Sequence, residues 1–108
     1  MSNFTQVDID DTRLVTWASL GASATGAAYK TGTYNDKTVT IAGTFGGTVT
    51  IQGSNNGLTW FTLTDADGVA LAVTANTIAL IRQHPAWIRC ISGAGVSAVI
   101  VSIYALEV

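Results

Sequence analysis

Residues 39–64, VTIAGTFGGTVTIQGSNNGLTWFTLT, constrain the fold of this chain more than any other stretch. β-Branched and aromatic residues fill its runs, and Gly and Asn cluster only where a chain would reverse, the pattern of strands punctuated by turns. Side chains alternate along a strand, so Val39, Ile41 and Phe45 fall on one face and Thr38, Thr40 and Thr44 on the other. The second run repeats the pattern, with Val49 and Ile51 inward and Thr48, Thr50 and Gln52 outward. Ser54-Asn55-Asn56-Gly57 then marks a reversal into a third run. The stretch reads as a three-strand meander. Its first loop is expected to span residues 46–48, because a two-residue loop at Gly46-Gly47 would set Phe45 against Thr48 and send the two apolar sets to opposite faces. Trp60, just after the Asn-Gly turn, is expected to close one end of the core.

The other segments add to this meander. Residues 13–20, RLVTWASL, read as a strand, and residues 21–36 as a long connection with a short strand near 27–29. Asp65-Ala66-Asp67-Gly68 is a turn, followed by a strand over 69–74. Residues 77–83 suit a short strand or one helical turn, ended by Pro85. Residues 87–92 read as a strand, Gly93-Ala94-Gly95 as a hairpin turn and 96–108 as the final strand. In that last strand Val96, Ala98, Ile100, Tyr104 and Leu106 share one face while Val99, Val101, Ile103 and Ala105 share the other. A strand apolar on both faces is either covered on both sides or faces another subunit. About seven or eight short antiparallel strands with regular turn signals are the signature of an all-β sandwich of jelly-roll kind. Residues 1–11 are polar and acidic and suit an arm or an edge strand, leaving 12–108 as the sandwich domain.

Composition narrows the function. The chain is 48% hydrophobic but only 11% charged, less than half the usual share of charge, which suits a protein whose faces are buried against other subunits. A net charge of −2 without any Lys/Arg cluster argues against a nucleic-acid partner. The opening residues have no basic segment followed by an apolar core, and the longest apolar run, 96–106, is too short for a membrane helix, so no membrane partner is expected. The lone Cys90 reads as a small, inert core residue. His84 precedes Pro85 with no nucleophile nearby and reads as a turn histidine. Asp8, Asp10 and Asp11 lie outside any rigid scaffold. Asp65-x-Asp67-Gly68 matches the start of a calcium loop, but Asn76 stands where the bidentate Glu belongs. No catalytic residue, cofactor or metal is expected, and a non-enzymatic domain is.

Two resemblances add to this. Residues 48–64, with Pro85-Ala86-Trp87-Ile88-Arg89 downstream, resemble discoidin-type and coagulation-factor C-type domains, in which Asn55, Asn56 and Gly57 would make the tight turn and Trp60 the core plug. The wider stretch 35–101, including VTIAGTFGGTVTIQGSNNG, LTDADGVAL and the late Gly-Ala-Gly, resembles small head proteins of tailed bacteriophages of the cement or decoration kind. That resemblance implies a virion component made in the host cytoplasm and carried on the capsid exterior. Its implied partners are the major capsid protein and itself, as a dimer or trimer. Phe4, Trp17, Tyr29 and Tyr34 are the candidate contact residues, together with the N-terminal arm. The alternatives are another head–tail or fibre component, or a carbohydrate-binding, lectin-like module that would display Trp17, Tyr29 and Tyr34 as its aromatic platform.

Overall fold

The computed structural model describes the backbone of residues 3–31 and 34–107, and every side chain of these except those of residues 19, 34, 35 and 107. The fold is an all-β, antiparallel sandwich of jelly-roll-like form, with ten strands among the described residues. The large sheet has the order β1 (Thr5–Ile9), β2 (Thr12–Leu20), β10 (Ala98–Glu107), β4 (Tyr34–Thr44), β8 (Thr77–Ile81). The small sheet has the order β3 (Tyr29–Lys30), β9 (Trp87–Ser92), β5 (Val49–Ser54), β6 (Phe61–Thr62), with β7 (Ala72–Val73) also paired to β5.

Strand alternation places the core as expected: Val39, Ile41, Val49 and Ile51 are all fully buried. The connection between them is different. β4 and β5 belong to different sheets, so residues 45–48 carry the chain across the sandwich instead of forming a three-residue hairpin loop. The Gly93-Ala94-Gly95 segment is likewise a crossing, from β9 in the small sheet to β10 in the large one. These two crossings touch each other. A Cβ on Gly46 would collide with the Gly95 carbonyl oxygen, and a Cβ on Gly95 with that of Gly46, so glycine is required here for close backbone approach. The apolar sets of β4 and β5 face one another across the interior, which satisfies the same parity that a hairpin would have.

The second half of the expected meander does form, with Gln52 opposite Thr62 and Gly53 opposite Phe61. In the turn between them Ser54 Oγ accepts the Gly57 N–H at 2.9 Å, Asn56 Oδ1 accepts the N–H groups of Leu58 and Thr59 at 2.9 Å, and Gly57 has φ 76°. Trp60, however, is half-buried on the outside of the small sheet and does not close the core. Trp17 fills that role: it is fully buried and its Nε1 donates to the Ala27 carbonyl at 3.1 Å. A bulge in β2 allows this, because three residue steps from Trp17 to Leu20 oppose two from Val101 to Val99. The extra residue reverses the alternation, so Val15, Trp17 and Leu20 all point inward and are all 0% exposed.

Residues 5–9 form the edge strand β1, joined to β2 by a tight turn with Asp10 at φ 52°; of the two sequence readings, the edge strand holds there. The strand expected over 69–74 is reduced to Ala72–Val73, and residues 77–81 are strand rather than helix. β10 lies at the centre of the large sheet, between β2 and β4. Its Val99, Val101, Ile103 and Ala105 face the core at 0% exposure, whereas Ile100, Tyr104 and Leu106 face outward and are uncovered by this chain.

Candidate functional site

Phe4, Trp17 and Tyr29 form one aromatic cluster. The Phe4 ring lies 5.6 Å from that of Trp17 and 5.7 Å from that of Tyr29, centroid to centroid. Trp17 and Tyr29 are buried inside the chain, so they do not present the contact surface expected of them. Tyr29 faces inward because it is paired with Ile88 on the core face of β9. Phe4 is half-buried and seats the start of β1 on this cluster. Tyr34 begins β4, but its side chain lies outside the described residues.

The surface aromatics come from elsewhere. Along β9, Ile88 and Cys90 are fully buried, so Trp87, Arg89 and Ile91 project to the outside of the small sheet. Register places Lys30 beside Trp87 and Gln52 beside Arg89. The Arg89 guanidinium carbon stands 4.2 Å from the Trp60 ring centroid, and its Nε donates to Gln52 Oε1 at 2.9 Å. Lys30 Nζ stands 5.7 Å from the Trp87 ring centroid. Two cation–π pairs thus share one β-face, with the Arg89 head clamped between a ring and an amide. The run WIRCIS carried the signal: two inward residues at alternate positions oblige Trp87 and Arg89 to point out.

Arg13 and Lys37 are committed otherwise. Arg13 Nε donates to Asp8 Oδ1 at 2.7 Å, and that hydrogen bond holds the Asp8 carboxyl below its usual range. Lys37 is 1% exposed, and burial lowers its pKa against the opposing field of Asp36. Its Nζ lies 3.2 Å from His84 Nδ1, within hydrogen-bonding distance. His84 is therefore more than a turn residue, being a partner of a buried lysine. Cys90 is fully enclosed, and burial pushes its thiol up to about 12, which makes it inert as expected.

A cleft of about 360 Å³ opens where the Ser54–Gly57 turn meets residues 83–85. Asn55, Asn56, Thr59, Phe61, Gln83 and His84 line it, and Phe61 is 69% exposed at its edge. Gln83 and Asn56 are already engaged in holding Thr64 and the turn. Asp65 Oδ1 accepts the N–H groups of Asp67 and Val69 at 2.9 Å, so the calcium-like segment is a self-satisfied turn. Among the described residues no group of three or more His, Cys, Asp or Glu could hold a metal ion.

No protein-family model matches the sequence, and no curated protein does either. Solved structures do share the fold. The SPBc2 prophage-derived protein YomS superposes with TM-score 0.68 over 93% of this chain and 98% of its own, at 12% identity. An uncharacterised conserved protein with a double-stranded β-helix domain from Klebsiella pneumoniae subsp. pneumoniae MGH 78578 superposes with TM-score 0.53 over 97% of this chain and 78% of its own, at 16% identity. A cupin domain from Bordetella pertussis Tohama I gives TM-score 0.49 at 13% identity. The shared architecture is the jelly-roll-like sandwich. It is of the double-stranded β-helix kind and not the discoidin kind that residues 48–64 resemble, which agrees with Trp60 lying outside the core.

Proposed function

We propose that this chain is a non-enzymatic structural protein of a tailed-phage virion, a cement or decoration component that binds the assembled major capsid protein from the capsid exterior. The observation that carries this reading is the Trp60, Arg89, Trp87 and Lys30 surface on the small sheet. Rigid rings and a pre-oriented guanidinium are the residue types that dominate binding energy at protein interfaces, and here they are ordered before any partner arrives. Their β-scaffold costs little further ordering on binding. The likeness to a prophage-derived protein over nearly the whole of both chains supports a phage origin for such an architecture. A shell offers many identical sites, so modest affinity at each suffices for dense occupancy.

The test is co-sedimentation of the purified chain with shells that lack it, for the wild type, Trp60→Ala and Arg89→Ala. Wild type is expected to pellet with the shells, and each variant to bind roughly 30-fold more weakly, as loss of a hot spot of about 2 kcal/mol would give. Failure of the wild type to pellet would remove the reading; equal binding by all three would remove the assigned contact. The cleft favours a second reading, a sugar-binding module with the exposed Phe61 ring as platform beside Asn55 and His84. Retention on immobilised glycans, lost in Phe61→Ala and without any affinity for shells, would put that reading in its place.

A further inference from the structure

The outer face of the large sheet is organised in rows that the strand register makes explicit. Val7 stands opposite Leu14, Leu14 opposite Tyr104, Tyr104 opposite Thr38, and Thr38 opposite Leu80. One row therefore crosses every strand of the sheet. On one side of it run Ile9, Thr12, Leu106 and Asp36; on the other run Thr5, Thr16, Ser102, Thr40 and Ile78, with Ile100 beside Ala42 beyond. Of the eleven exposed large hydrophobic residues among those described, eight lie on this face: Val7, Ile9, Leu14, Ile78, Leu80, Ile100, Tyr104 and Leu106. Their exposures run from 38% for Leu106 to 72% for Ile78. Asp36, at the margin, is the one charged side chain among the described residues of these rows.

We infer that this face is the interface of an isologous dimer, and that its occupant is a second copy of the chain. Three features choose that occupant. The first is chemistry. A face of aliphatic side chains, threonines and one tyrosine offers no charge pattern by which a different, charged partner would be selected, and its best complement is a surface of the same kind. The second is geometry: β10 is the middle strand of five, so a two-fold axis through its Ser102–Tyr104 region lays the β1–β2 half of one copy on the β4–β8 half of the other. Two such sheets stack about 10 Å apart with their strands within about 30° of parallel, and the large side chains of one row interdigitate with the small Thr38, Thr40 and Ser102 positions of the facing row. The third is size. The sixteen residues of these rows, each covering roughly 4.8 Å by roughly 7 Å of sheet, give a flat footprint of about 540 Å². Side-chain relief brings its accessible surface to the order of the roughly 800 Å² per partner of a standard interface, and beyond the patches that ordinary monomers leave bare. The dimer leaves the Trp60–Arg89 surface free, because that lies on the opposite sheet and faces away. Each dimer then carries two outward shell-contact faces.

Sedimentation equilibrium of the full chain between 1 and 100 µM tests this, with hydroxyl-radical footprinting over the same range. The expected mass is twice 11.2 kDa, independent of reductant, with Tyr104 and Leu106 losing radical reactivity as the dimer forms while Phe61 keeps its own. Tyr104→Arg and Ile78→Arg should each raise the dissociation constant at least about 100-fold, because each would bury an unpaired charge at the interface. Circular dichroism of both variants checks that the sandwich is intact, and the unmutated footprint decides the matter if either fails to fold. Arg89→Ala should dimerise normally. A monomeric wild type at 100 µM, a trimer, a footprint that spares Tyr104, or folded Tyr104→Arg and Ile78→Arg that both dimerise as wild type would overturn the inference. These outcomes are separate from shell binding, which Arg89→Ala should impair while leaving the dimer intact.

Discussion

Replacing Trp17 with alanine should be among the most damaging single changes in the chain, and replacing Trp60 among the mildest for a tryptophan. Trp17 is 0% exposed, packs its ring on Phe4 at 5.6 Å and donates Nε1–H to the Ala27 carbonyl at 3.1 Å. Gly26 leaves room for that ring, since a Cβ there would sit 2.8 Å from Trp17 Nε1. Truncation removes the transfer energy of a buried indole and leaves a cavity, together about 3–5 kcal/mol. The orphaned Ala27 carbonyl adds little, because Ala27 is half-buried and water can reach it. Trp60 is half-exposed and its specific partner is Arg89, a contact of about 0.5–1 kcal/mol at such a site. Urea unfolding with linear extrapolation, followed by far-ultraviolet circular dichroism so that loss of a tryptophan does not change the probe, measures both. A cost below about 2 kcal/mol for Trp17→Ala, or a larger cost for Trp60→Ala than for Trp17→Ala, would refute the assignment of core and surface tryptophans.

Other consequences follow from particular contacts. Gly95→Ala should destabilise by about 1–3 kcal/mol in the same unfolding assay, because its methyl meets backbone atoms of Gly46 and Gly47 rather than the end of a flexible side chain. The Cys90 thiol, at about 12, should not react with a thiol reagent at pH 8 in the native protein and should react at once in denaturant; a fast native reaction would contradict its burial. Asp8 has its folded-state pKa lowered from 3.8 by the Arg13 hydrogen bond, so its contribution is complete above that value and is lost as pH falls through the folded pKa. Melting between pH 2 and 5 should therefore be less steep in Asp8→Asn than in wild type. Lys37, its pKa lowered by burial, gives a slope of the same sign in a different pH range: the unfolded chain holds that proton more tightly, so Lys37→Met should flatten a rise in stability that wild type shows toward pH 10.

Alternation made the core legible where a strand was long: Val39, Ile41, Val49, Ile51, Ile88, Cys90, Val99, Val101, Ile103 and Ala105 are all interior. Pairing was less legible, and the reason lies in the glycines. Gly46-Gly47 and Gly93-Ala94-Gly95 each sit between two strand patterns, as hairpin turns do. Period-two alternation gives the same parity for two strands side by side and for two strands facing across a core. What those glycines serve is the approach of one crossing to another, a tertiary contact that nothing local encodes. The β2 bulge had a visible trace, since Trp17 and Leu20 fall out of phase, but only the register with Val99 and Val101 makes both interior. The aromatic contact residues were misplaced for a related reason: Trp17 and Tyr29 fall in polar or small-residue surroundings in sequence, yet the strands that fold over them are far away along the chain. Trp87 and Arg89 were available from the phase of WIRCIS, and Trp60 only from the pairing of β5 with β9.

The most direct test of the virion role is the temperature at which genome-filled shells lacking this protein release their DNA, read by a DNA-binding dye with and without the purified chain. A saturable rise in that temperature, present with wild type and reduced with Arg89→Ala at equal concentration, is the expected result. Unchanged release at saturating wild-type protein, with no protein recovered on the shells, would contradict the account.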